Sequence, residues 1–272
     1  MQKVPKIIHY VWLGKGEKPE LFYKCLESWK KYCPDYEIKE WNEDNFDISE
    51  SKYAVQAYQN KKYSFVSDYI RAEVLFKYGG IYVDTDTEIT KSFDSLLNND
   101  FAISFENNVH CSTATLISMP KHPLMKFLCS YYHIVDFIKE NGDLDFTPNT
   151  VLITYFLKKF YGLKLNNKKQ VLHNKLNIND EITVTVFPRE YFSPLNYTTR
   201  KLKVTSNTCS IHYFKATWFT KKMQFREKLF RAGYYILTPF MFTAFTRVWV
   251  NSVFKYLKKR DKKYNFSEKF EQ

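Results

Sequence analysis

Glycine is scarce in this sequence, with 7 among 272 residues, whereas aromatic residues make up 18 %. That balance excludes a disordered or low-complexity chain and indicates a packed globular core. The five cysteines, Cys25, Cys33, Cys111, Cys129 and Cys209, include no CxxC pair and are odd in number. They read as reduced thiols of a cytoplasmic protein without structural zinc, and the chain does not start with a signal-peptide pattern. Internal repeats are absent, and no linker rich in Pro, Gly or Ser interrupts residues 1–220.

Acidic residues are few beside basic ones, giving a net charge of +12. The excess is local. Residues 221–263 hold twelve Lys and Arg against two acids, so residues 1–220 carry only about +3. A nucleic-acid-binding protein is the first class that such a charge suggests. Here no basic patch interleaved with exposed aromatics is evident in the main domain, and the basic segment has an apolar face, so nucleic acid is not expected as a partner.

Strand–helix alternation predicts an α/β fold with helices on both faces of the sheet. PKIIHYVWLG (5–14), a continuous apolar run, reads as a buried strand, and YEIKEWN (36–42) as a second. LFYKCLESWKKYC (21–33) and residues 51–60 read as helices. SFVSDYIRAEVLFKYGG (64–80) is the clearest helix, with a Ser start and a Gly79 stop. IYVDTD follows as a strand, then FAISFE (101–106), TATLISM (113–119) and ITVTVFP (182–188). HPLMKFLCSYYHIVDFIK and PNTVLITYFLKKFYG read as helices between them. The chain divides into a main domain, 1–220, and a basic amphipathic helical region, 221–272.

The chemistry centres on Asp84 and Asp86. Alternate residues of a strand face one side, so their carboxylates converge. Two adjacent carboxylates repel and want a cation, and hard oxygens suit Mg²⁺ or Mn²⁺ shared with ligand phosphates. The carboxyl end of a strand in an open α/β sheet is also where nucleotides bind. A bare Asp-x-Asp more often ends a strand in water, but here an apolar strand and a Gly-Gly entry precede it. Upstream, Asp68 and Arg71 share one face of an otherwise apolar helix. They read either as a surface ion pair or as a pair facing the same cleft. His9 reads as a satisfied core histidine. Trp12 reads as core or as a platform for a base, and His212 as a strand histidine or a site residue. Glu106, Asn107 and Asn108 read as a solvated turn that borders the acceptor side at most. His110, His122, His133 and His173 lack ligand spacing.

PKIIHYVWLG, SDYIRAEVLFKYGGIYVDTDTE and IHYFKATWF, taken in order, resemble the glycosyltransferases with a DXD sugar-binding region, family 32. That family includes bacterial capsule and lipopolysaccharide transferases and yeast α-mannosyltransferases, and the chain is similar more distantly to large glucosylating toxins. The resemblance covers roughly residues 4–220 and is strongest over 64–90. It implies a GT-A fold, a Rossmann-like nucleotide-binding α/β arrangement. It also implies a nucleotide-sugar donor, a divalent metal and retention of anomeric configuration. Asp84 and Asp86 match its DXD pair, with Asp86 the direct metal ligand and Asp84 near ribose, sugar or metal-bound water. Asp68 and Arg71 match its sugar-contacting pair. Trp12 sits in the strand where the toxins stack an aromatic on the base. His212 and Trp218 match a late element near metal and phosphates. Thr147-Pro148 replaces the Gly-Pro of many members.

The expected reaction is therefore metal-dependent, retaining transfer of a hexose or N-acetylhexosamine. A UDP-sugar is the favoured donor, with a glycan acceptor, expected to be lipid-linked, in capsule, lipopolysaccharide or other surface-glycan synthesis. The rival on the same carboxylates is a metal-dependent phosphotransferase or hydrolase. With no covalent nucleophile evident, attack on the departing face is favoured, the leaving phosphate taking the acceptor proton. In the C-terminal region, Thr238-Pro239 reads as a fresh helix start, and Thr243, Arg247, Asn251 and Lys255 recur every four residues over 240–257. A spanning helix wants roughly 20 mostly apolar residues without a central Arg. The segment instead suits peripheral attachment to the inner face of an anionic plasma membrane, the other reading being that it packs on the domain or forms a dimer.

Overall fold

The structure is a computed structural model, and it describes residues 2–175, 181–215, 229 and 239–266. Trp218 and residues 221–228, 230–238 and 267–272 of the expected basic region lie outside the described residues, as does the boundary expected at residue 220.

Two strands, β1 (Ile7–Val11) and β2 (Glu37–Trp41), run parallel, joined through helix α1 (Glu20–Tyr32). Helices α2 (Lys52–Gln59) and α3 (Tyr63–Tyr78) lead to β3 (Gly80–Val83), which pairs parallel with β1 on its other side. A three-residue strand β4 (Thr87–Ile89) follows, then β5 (Phe101–Ser104) and β6 (Thr115–Ser118). Next come α4 (Pro123–Ile134), α5 (Asn149–Tyr161), β7 (Gln170–His173), β8 (Thr183–Phe187) and β9 (Ser210–His212), and finally α6 (Pro239–Tyr264). The main sheet has the order β2-β1-β3-β6-β5-β8-β7, while β4 and β9 form a separate two-stranded sheet. The α/β class read from the sequence is what forms. The sheet is mixed: β6 runs antiparallel to both β3 and β5, and β7 antiparallel to β8.

Both faces of the sheet are covered. Ile8 and Tyr10 of β1 and Ile81 and Val83 of β3 pack toward α1 with Phe22 and Trp29. Val11 and Tyr82 point to the opposite side, where α3, α4 and α5 supply Ile70, Leu128 and Phe156. His9 is fully buried on that side. Its Nε2 lies 2.8 Å from the Gly79 carbonyl, and its Nδ1 accepts from Trp41 Nε1 at 3.1 Å. Burial pushes its pKa down to about 4, as for a satisfied core histidine.

Gly79 ends α3 as the sequence indicates. It has φ +65°, and a Cβ there would lie 2.6 Å from the Pro120 ring and 2.9 Å from the Ser118 carbonyl. The Ser start does not hold, since Lys62 caps the helix without a side-chain bond. Helix α4 stops at Ile134 rather than continuing through Lys139. The amides of Phe137 and Ile138 instead donate to Gln56 Oε1, at 2.8 and 3.0 Å, and so have partners outside a helix.

The apolar side of the C-terminal helix divides. Val250 and Leu257 of α6, and Phe266 just beyond it, are buried against the body. Asp261 accepts from Lys159 of α5, and Arg260 donates to Asp145 in the loop before α5. Phe245, Val248 and Trp249 remain exposed. Among the described residues, no helix is long and apolar enough to cross a membrane.

Candidate metal site

The acidic pair stands where the chain leaves β3. Asp84 keeps the side-chain parity of Tyr82 and so faces α3. The strand then ends, and Asp86 lies in a turn closed by the Thr87 amide donating to the Asp84 carbonyl at 2.9 Å. The carboxylates converge as expected, but through this turn and not through strand alternation. The turn feeds β4, whose antiparallel pairing with β9 sets Thr87 opposite His212. Trp29 Nε1 donates to the Thr87 carbonyl at 2.7 Å, tying β4 to α1.

Three ligand atoms, one each from Asp84, Asp86 and His212, lie within 4.8 Å of one another, the one such group among the described residues. His212 Nε2 is 3.3 Å from Asp86 Oδ1 and 3.9 Å from Asp84 Oδ2. Asp86 is oriented by the backbone: the Lys215 amide donates to its Oδ2 at 2.7 Å, and the Tyr213 amide to its carbonyl at 3.0 Å. Burial works against its charge, but His212 and the Lys215 amide hold the carboxyl below its usual range. For His212, burial opposes protonation, yet Asp86 and then Asp84 raise its pKa to about 9. The buried Nδ1 of His212 has no hydrogen-bond partner. Two carboxylates and an imidazole converging with polar capacity left over fit a divalent cation.

Arg71 and Asp68 are not a surface pair. Arg71 is 5 % exposed, with Nη1 3.1 Å from Asp68 Oδ1 and Nη2 donating to Asp84 Oδ1 at 2.9 Å. It therefore bridges the helix acid to the first acid of the pair. Its guanidinium lies 4.2 Å from the centre of the Tyr82 ring, and Nε and Nη1 are buried without hydrogen-bond partners. Burial opposes the charge of Arg71, but Tyr82, Asp84 and Asp68 together keep it protonated. Burial pushes Asp68 up to about 7, with Arg71 pulling the other way and Asp84 adding to the rise.

All of these side chains line one cleft of about 1090 Å³, together with Trp12. Trp12 is partly buried, with Nε1 donating to the Gly16 carbonyl at 2.8 Å and its ring 6.3 Å from that of Phe22. Six of the seven residues singled out in the sequence thus share one cavity: Trp12, Asp68, Arg71, Asp84, Asp86 and His212. Trp218 is outside the described residues. Glu106 also lines the cleft, while Asn107 accepts from the amides of Val109 and His110 and shapes the turn beside it.

Sequence reasoning missed three contributors. Tyr82 supplies the ring beneath Arg71, and its parity with Asp84 was available as a signal. Asn149, at the first turn of α5, lines the cleft with its Oδ1 buried and unpartnered, and its side chain eases the charge of Asp68. Phe214 packs against the His212 ring, tilted to it, with 4.1 Å between ring centres.

Residues 19–102 match the family model described as a glycosyltransferase sugar-binding region containing a DXD motif. The resemblance read from the sequence is borne out over that stretch. The chain is 32 % identical over 99 residues to inositol phosphoceramide mannosyltransferase 3 of Schizosaccharomyces pombe, covering 35 % of this chain and 28 % of that protein. It is 24 % identical to the uncharacterized glycosyltransferase L373 of Acanthamoeba polyphaga mimivirus, over 79 % of this chain and 84 % of that one. The chain thus spans well under half the length of the yeast relatives it matches. Among solved structures, PaToxG glycosyltransferase is similar with a TM-score of 0.45 and 18 % identity, over 57 % of this chain and 69 % of that one. The α/β sheet, with its acidic pair just past the carboxyl end of β3 beside parallel β1, agrees with the α/β arrangement that the resemblance implied.

Proposed function

We propose that the protein is a metal-dependent, retaining glycosyltransferase that moves a hexose or N-acetylhexosamine from a nucleotide sugar to a glycan acceptor. The observation that carries this reading is the convergence of Asp84, Asp86 and His212 at the floor of a cleft that also holds Asp68, Arg71 and Trp12. Asp84, Asp86 and His212 would hold a divalent ion. Mn²⁺ suits the mixed oxygen and imidazole set better than Mg²⁺, which favours near-ideal octahedral oxygen coordination. Such an ion supplies charge neutralisation to the two phosphates of a departing nucleoside diphosphate.

The chain's own residues do the rest. Trp12 offers an aromatic face to the nucleobase, and a UDP-sugar is the favoured donor. Arg71 holds Asp68 and Asp84 in place and has N–H groups left to donate to sugar or phosphate oxygens. Asp68, titrating near neutrality, takes a sugar hydroxyl as hydrogen-bond partner in either protonation state. Asp84 and Asp86 are committed to the metal site and Asp68 to Arg71, so none of these three is left to act as a nucleophile. The acceptor hydroxyl therefore attacks on the face the diphosphate leaves, and the leaving phosphate takes its proton. The acceptor is a lipid-linked glycan of surface-polysaccharide assembly, of the capsule or lipopolysaccharide kind.

The test is release of nucleoside diphosphate from a panel of UDP- and GDP-sugars, with and without glycolipid acceptors, Mn²⁺ and chelator. The reading expects release that needs metal and rises with acceptor, and a product of unchanged anomeric configuration by NMR. Turnover at full rate without acceptor would instead establish a hydrolase. A trapped covalent sugar–enzyme adduct would remove the same-face mechanism.

A further inference from the structure

Helix α6 has two faces with different fates. Val250, Leu257, Arg260 and Asp261 turn inward and are buried. Phe245, Val248, Ser252, Lys255 and Lys259 follow at spacings of three and four, one stripe at 3.6 residues per turn, and all are exposed. The stripe changes character along its length. Its first part is apolar: Phe245 is 59 % exposed, Val248 64 % and the adjacent Trp249 45 %. Its second part is basic, with Lys255, Lys258, Lys259 and Lys262 exposed. The helix's one acid, Asp261, is spent inward on Lys159.

The register of α6 on α5 says where this face lies. Val250 packs with Val151, Phe254 packs tilted against Tyr155 at 5.6 Å between ring centres, and Asp261 meets Lys159. The two helices therefore run in the same direction. The amino end of α5 opens into the cleft through Pro148, Asn149 and Thr150. The apolar part of the α6 stripe thus lies at the level of that end of α5 or just beyond it. A buried contact also ties α6 to the loop that leads into the cleft wall. Arg260 donates to Asp145, whose Oδ1 accepts from the Thr147 amide at 3.1 Å, just before Pro148 enters the cleft wall.

We infer that the outward face of α6 docks on an anionic lipid bilayer, with Phe245, Val248 and Trp249 entering the interface and the following lysines meeting lipid headgroups. Large apolar side chains beside a row of lysines with no acid among them fit a surface that is greasy beneath and negative above. A second copy of the chain would bring the same lysine row to the contact. The proposal stands apart from the transfer reading, because lipid binding is measured without any sugar nucleotide.

The experiment is sedimentation of the full-length protein with vesicles of phosphatidylcholine, with and without phosphatidylglycerol. Two variants accompany it: Phe245→Ser with Trp249→Ser, and Lys258→Glu with Lys262→Glu. Neither pair contacts the buried face, and unchanged thermal unfolding verifies their folds. The wild type is expected to sediment with the anionic vesicles only. Partition should fall at least about tenfold in the first variant and about thirtyfold in the second. Failure of the wild type to bind anionic vesicles, or binding unaltered in both variants, overturns the proposal. So does a dimer in vesicle-free buffer that the Phe245→Ser, Trp249→Ser variant converts to monomer, since a second copy would then be the occupant.

Discussion

At the scale of single residues, the site is a chain of alternating charges: Asp68, Arg71, Asp84, His212, Asp86. Removing Arg71, the cation between Asp68 and Asp84, leaves two carboxylates in a poorly hydrated place. Arg71→Met should therefore destabilise the fold by about 3 to 5 kcal/mol, read by denaturant unfolding. A loss of only a few tenths would mean that the pair is solvated after all. A second prediction concerns pH. In metal-free protein the His212 pKa is raised from 6.5 to about 9. The stabilisation from its pair with Asp86 is then fully present below 6.5 and is lost as pH rises through about 9. The stability difference between the wild type and His212→Asn should shrink across that window in chelator, and a constant difference would contradict the pairing. The acids and Arg71 were legible in the sequence because their residue types and spacing carry the chemistry. Asn149 was not, because only the docking of α5 brings it to Asp68. Nor was the Lys215 amide that orients Asp86, since a backbone role leaves no mark on residue type.

At the scale of elements, the long periodic segments were readable and the shortest were not. Strands β1 and β2 and helices α1, α3 and α5 form close to where their apolar patterns place them. Strands β4 and β9, three residues each, are too short for periodicity to register, yet their pairing delivers His212 to Asp86. The junction of α3 and β3 is set by Gly79, whose φ of +65° and crowding by Pro120 and Ser118 exclude a side chain. Gly79→Ala should lower stability by about 1 to 3 kcal/mol, visible as a drop in Tm. The C-terminal helix is tied in by the Arg260–Asp145 pair, with Arg260 also donating to Tyr131 Oη at 3.0 Å and to the Asp136 carbonyl at 2.9 Å. Arg260→Met leaves Asp145 buried and uncompensated, and a loss of about 3 kcal/mol or more in unfolding free energy is expected. An unchanged Tm would show that the tie is dispensable.

At the scale of the whole molecule, the sequence separated a near-neutral body from a basic carboxyl-terminal segment, and it left open whether that segment's apolar side faces lipid or the body. The structure divides the answer along one helix. Val250 and Leu257 complete the core over α5, while Phe245, Val248 and Trp249 stay outside. Truncation before α6 thus removes core, and a fragment ending at residue 238 should lose cooperative unfolding; a well-behaved fragment would show the helix to be an appendage. The mixed direction of the sheet was beyond the sequence, because β6 reaches β3 by a long connection whose course depends on contacts far apart in the chain.

The central claim is that the Asp84, Asp86 and His212 cluster holds a divalent ion on which a nucleoside diphosphate is bound. Calorimetric titration of UDP and GDP into the full-length protein, with and without Mn²⁺, tests it most directly beside Asp86→Ala. The account predicts binding of one nucleotide, UDP being favoured, that requires Mn²⁺ and weakens by about a hundredfold or more in the variant. Binding that ignores the metal and survives Asp86→Ala, or no binding by the folded wild type, would contradict it.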